Sequence, residues 1–75
     1  MNELDVKEYL IENHSDFRRL VEEHYGYEVE LQKLQDKPHL SEEELFEEVT
    51  IKKKKLALKD QMQMMIQQYR TEQSA

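Results

Sequence analysis

Asp36-Lys37-Pro38-His39-Leu40-Ser41-Glu42-Glu43-Glu44 decides how this chain folds. Pro38 has no backbone N–H to donate, and its ring pushes Lys37 out of the helical region. A helix arriving from the N-terminal side therefore stops near Asp36. Glu44 follows Ser41 by three positions, the spacing of a capping box. The Ser41 hydroxyl can accept from the Glu44 N–H while the Glu44 carboxylate reaches back to the Ser41 N–H. Glu42 and Glu43 add negative charge in the first turn, where the helix dipole favours it. The stretch predicts a turn over 37–41 and a new helix from Glu42.

Upstream, Phe17, Leu20, His24, Tyr27, Leu31 and Leu34 recur in alternating steps of three and four. That spacing is a coiled-coil-like seam of nearly three heptads, apolar or aromatic except at His24. It predicts a helix over about 16–36. Gly26 lies off this seam and is expected to cost about 1 kcal/mol relative to Ala. A further break falls at Asn13-His14-Ser15-Asp16, where Asn13 suits a left-handed helix end and Ser15 an N-cap. A short helix over about 3–12 precedes it. It carries Leu4, Val6, Tyr9, Leu10 and Ile11, and is too short to persist in water unless it docks.

Downstream, a helix over about 42–71 carries two apolar stripes. At 100° per residue Ile51, Leu58, Met62, Met65 and Tyr69 fall together. Leu45, Val49, Leu56 and Ile66 form a second line, so the combined face is wider than one partner helix needs. Lengths constrain the packing. The middle helix is about 30 Å long and the last about 45 Å, an excess of about one short helix. A hairpin folded at Pro38 sets Leu34 near Leu45 and Phe17 near Met62, and leaves Met65 to Tyr69 for the N-terminal helix to cover. The expectation is a single all-α domain over residues 1–75, an antiparallel helical hairpin with a short N-terminal helix. One stripe of the last helix then remains for another chain. The contact surface is assigned to Ile51, Leu58, Met62, Met65 and Tyr69. The pattern alone leaves open which stripe faces the hairpin.

Composition narrows the function. The 75 residues contain 37% hydrophobic and 37% charged side chains, one Gly, one Pro and no Cys. A chain of this size buries only about 60% of its unfolded surface, enough for a thin core and no deep substrate cavity. Without Cys there is no disulfide framework and no thiolate metal site. No apolar run reaches the roughly 18 residues of a membrane span. Glu3, Asp5 and Glu8 come too early for a signal peptide. A cytoplasmic protein is expected, with no membrane partner.

Lys52, Lys53, Lys54 and Lys55, followed by Lys59, form the most conspicuous polar feature. A phosphate-contacting nucleic-acid segment is the alternative function they raise. Four consecutive helical residues point in four directions, however, so they make no single face. Residues 1–51 hold fifteen acidic and five basic side chains, and residues 52–75 two and six. The net −6 chain repels a polyanion at long range, and no aromatic side chain is interleaved with the lysines for base stacking. The lysines are better read as a solvated surface paired with the acidic middle helix and with Glu48.

His14, His24 and His39 are too scattered for a metal motif, and His24 is expected half-buried and hydrogen-bonded on the seam. Ser15 and Ser41 have no accompanying base, and acid–base catalysis needs a cleft that shifts a pKa. No catalytic residue, metal or cofactor is expected.

Taken together, several segments resemble a known family. They are Asn13 to His24, with Phe17, Leu20, Glu23 and His24; Leu31 and Leu34; the Asp36–His39 turn; and the acidic 41–48 segment. Lys53-Lys54-Lys55-Leu56-Ala57-Leu58-Lys59-Asp60 follows, then Met65 and Arg70. The pattern, over about residues 8–70, is similar to the YdcH-like family of small bacterial proteins, a domain of unknown function. The resemblance implies a bacterial, cytosolic helical hairpin and supplies no catalytic residues. Gly26, Tyr25 and Tyr27 are atypical for it. The function expected from the residues is a non-catalytic interaction module. Its partners are further copies of itself (a dimer or higher homo-oligomer) and an unknown protein.

Overall fold

A computed structural model describes residues 2–74, with the Ser74 side chain left aside. The described residues form three helices and no strand: α1 (Glu3–Asn13), α2 (Ser15–Gln35) and α3 (Glu42–Ser74). The 33 residues of α3 rise about 50 Å, which accounts for the long dimension of a molecule measuring 51 × 20 × 17 Å. The chain is all-α, an antiparallel α2–α3 hairpin with α1 packed against both.

The hairpin turn follows the local chemistry of its residues. The Ser41 Oγ accepts from the Glu44 N–H at 3.1 Å, and Glu44 Oε1 accepts from the Ser41 N–H at 3.1 Å. The Lys37 ammonium donates to the other Glu44 carboxylate oxygen and ties the end of α2 to the start of α3. Helix α2 ends at Gln35, one residue short of the expected Asp36, which caps it with φ −77° and ψ −13°. Helix α3 runs on to Ser74 instead of stopping at Thr71, since neither Gly nor Pro follows to stop it.

The α1–α2 junction departs from expectation. Asn13 is not a left-handed cap, and no non-glycine residue among those described has a positive φ. Asn13 completes α1 and donates its side-chain amide to the Tyr9 carbonyl at 2.9 Å. Ser15 is the first residue of α2 rather than its cap. A single extended residue, His14 (φ −126°, ψ 109°), serves both ends without a side-chain hydrogen bond to α2. Arg18 caps the end of α1 instead: its guanidinium donates to the Ile11 and Glu12 carbonyls at 2.9 and 3.2 Å. Two of the orphan carbonyls that every helix C-terminus leaves are thereby satisfied. At the other end of α1, Asn2 Oδ1 accepts from the Asp5 N–H at 2.9 Å.

Two core clusters result. At the closed end, Leu31, Leu34 and Ile51 are buried, with Tyr27 and Leu40 packed beside them. Leu40 from the turn thus completes the cluster around Leu34, while Leu45 stays half exposed. At the open end, Val6 and Leu10 of α1 cover Phe17 and Ile66, with Ile11, Val21, Met62, Met65 and Tyr69 around them. Leu20 and Leu58 are also buried. Each fully buried side chain of this kind contributes about 1.5–3 kcal/mol. This burial is what holds α1, since an isolated 11-residue helix is marginal in water.

Candidate interaction surface

The seam residues Phe17, Leu20, Leu31 and Leu34 are buried, and His24 and Tyr27 are partly buried. One α3 stripe meets them, and its placement corrects the assignment made from spacing. Ile51 and Leu58 are buried inside the hairpin, and Met62, Met65 and Tyr69 pack on the α1 cluster. These five residues form the intramolecular face, not a surface for another chain. Introducing charge at Met62 or Met65 would therefore unfold the open end of the bundle rather than merely separate copies.

The reason lies in α1. Tyr69 stacks on Tyr9, ring centroids 4.8 Å apart at 32°, and burial followed by the neighbouring Tyr9 raises the Tyr69 pKa above the ordinary phenol value. Glu3 Oε1 accepts from the Gln63 amide at 3.0 Å. That hydrogen bond, aided by Lys7, holds the Glu3 carboxyl below its ordinary range. Docking of α1 also pulls in Ile66, which is 0% exposed. By spacing Ile66 had been grouped with Leu45, Val49 and Leu56. On the helical wheel it lies between the two stripes, and the third helix decides its side.

Several apolar side chains remain outside. On α3, Leu45 is 50% exposed, Phe46 73%, Val49 50%, Leu56 60% and Met64 69%. Leu45, Val49 and Leu56 fall within about 40° of one another and about 140° from the buried stripe. Phe46 and Met64 flank them on one side. Phe46 belongs to neither stripe expected from the sequence, although its 18-residue spacing from Met64, five helical turns, places the two at the same angle on the wheel.

The lysine run is divided among several neighbours. Lys55 Nζ lies 3.5 Å from Glu28 Oε1, and Lys52 Nζ lies 3.6 Å from Glu48 Oε1. Lys54 Nζ stands 5.9 Å from the centroid of the Tyr27 ring. Partly exposed pairs of this kind contribute about 0–1 kcal/mol each. His24 has 20% of its side chain exposed, and its Nδ1 sits 3.7 Å from Glu28 Oε1. That is beyond hydrogen-bond length, so the hydrogen-bonded seam histidine expected from the sequence is replaced by an ion-pair partner available to the charged ring. Lys7, Lys59, Met62 and Gln63 join His24, Glu28 and Lys55 around a shallow groove where the three helices meet.

No group of three or more His, Cys, Asp or Glu side chains among the described residues is arranged to hold a metal. A 560 Å³ concavity is lined by Gln63, Met64, Gln67, Gln68, Thr71 and Glu72. All six belong to α3, so it is the open flank of one helix rather than an enclosed site. No helix among the described residues is long and apolar enough to cross a membrane. Compared with known proteins, the chain matches no family model, no curated protein and no solved structure.

Proposed function

We propose that this chain is a non-catalytic protein-interaction module that self-associates through the outward face of α3. One observation carries the reading: the run Leu45, Phe46, Val49 and Leu56 stays half exposed or more after the hairpin and α1 have closed. Exposed apolar side chains lined up along one face of a helix on a small chain mark a contact site more often than apolar residues scattered singly do. The site first assigned to Ile51, Leu58, Met62, Met65 and Tyr69 moves to the opposite side of the same helix.

Nucleic-acid binding through Lys52–Lys55 is the weaker reading. Lys52 and Lys55 already have carboxylate partners within the chain, and Lys54 lies over Tyr27. The resemblance to the YdcH-like family supports a bacterial, cytoplasmic setting for the module. Sedimentation equilibrium across the micromolar range tests the proposal. The 9.2 kDa chain should show a mass that climbs with concentration. Leu56→Glu should return it to monomer with its helix content intact. A wild-type monomer at every concentration refutes self-association.

A further inference from the structure

Resting on that reading, we infer that the partner on the outer face of α3 is a second copy of this chain bound antiparallel, with residue 45 of one copy facing residue 56 of the other. In heptad terms Val49 and Leu56 occupy a positions, and Leu45, Lys52 and Lys59 occupy d positions. Antiparallel helices stack a against d across the seam. Only a register centred between residues 50 and 51 places Leu45 against the partner copy's Leu56 twice over, once on each side of the dyad. The same register sets Val49 against the stem of Lys52, whose chain can lie along an apolar surface with its ammonium in water.

Charge selects the direction. Along α3, Glu42, Glu43, Glu44, Glu47 and Glu48 precede Lys52, Lys53, Lys54, Lys55 and Lys59. Parallel, in-register copies would stack Lys52 on Lys52, Lys59 on Lys59 and Glu42 on Glu42, three like-charge layers in one seam. The antiparallel copy replaces these with Glu42 against Lys59 at both ends. Along one flank Phe46 meets Lys53, a cation–π geometry. Residues 42–59 overlap their copies over about 27 Å, with Leu45, Val49 and Leu56 on the side of α3 turned away from its buried stripe and Lys59 exposed at the rim of the groove between the helices. Glu42 and Lys59 are about 25 Å apart within one helix, so any mutual compensation between them must act across the dyad.

Two measurements test this arrangement. The chain has no cysteine, so a nitroxide attached to Thr71→Cys reports a single distance by pulsed electron resonance. The antiparallel register places the two labels about 60 Å apart, whereas a parallel pair holds them within about 20 Å. Separately, E42K or K59E should weaken association about tenfold, two like-charge contacts replacing two attractive ones. The E42K/K59E double variant should recover wild-type affinity to within about twofold. A dimer with a short label distance, or a double variant no tighter than the singles, overturns the antiparallel register while leaving self-association standing. A monomeric wild type overturns both.

Discussion

Replacing Gly26 by Ala should stabilise this protein. Gly26 lies in the middle of α2, exposed, with an ordinary helical rather than left-handed backbone. A β-carbon built there meets no atom within 4 Å, so no packing penalty opposes the change. What remains is backbone entropy: glycine in a helix interior is about 0.8–1.0 kcal/mol less favourable than alanine. A domain of 75 residues has a total stability of about 4–11 kcal/mol, of which this is a substantial share. The melting temperature, read by circular dichroism at 222 nm, should rise about 4–8 °C. The urea midpoint should rise by about 0.3–1 M with an unchanged slope. Both variants must be compared at one protein concentration, because self-association stabilises by mass action. An unchanged or lowered melting temperature would show that α2 is not a regular helix through residue 26, or that another chain fills the open space beside it.

Two further outcomes follow from contacts at the helix ends. Arg18→Ala should speed hydrogen exchange at the last amides of α1 while leaving those of α2 and α3 near Pro38 slow; equal exchange throughout would remove Arg18 as the cap of α1. Glu44 has its carboxyl held below the usual range by the Lys37 ammonium first and the Ser41 backbone N–H second. A lowered folded-state pKa means that its stabilisation is complete above the ordinary carboxylate value and is lost as the pH falls through the folded value. Wild-type melting temperature should therefore drop more steeply than that of Glu44→Gln on acidification below about pH 4.5; parallel profiles would contradict the assignment.

Much of the fold was legible because its signals are local. Pro38 and the Ser41–Glu44 box act within four residues of themselves, and the 17–34 seam needs only a 3.6-residue period to be seen. The helix-length difference even implied where α1 must lie. The Arg18 cap was not legible in this way: it spans seven residues and two helices, and Ser15 nearby offered a more familiar capping residue. Asn13 departs from its expected role for a related reason: an asparagine favours a left-handed end, but the extended His14 makes one unnecessary.

The outer face of α3 was hidden for a different reason. Periodicity fixes the angle between residues on a helix but says nothing about the direction in which a neighbour lies. Two apolar stripes about 140° apart on one helix are equivalent until something packs against one of them. The sequence by itself determined that the chain turns at Pro38 and that α3 carries more apolar surface than one partner can bury. Only the tertiary structure decided that Ile51, Leu58 and Ile66 go inward. The choice depends on where α2 and α1 can reach at once, a property of three helices together that no single stretch of residues encodes.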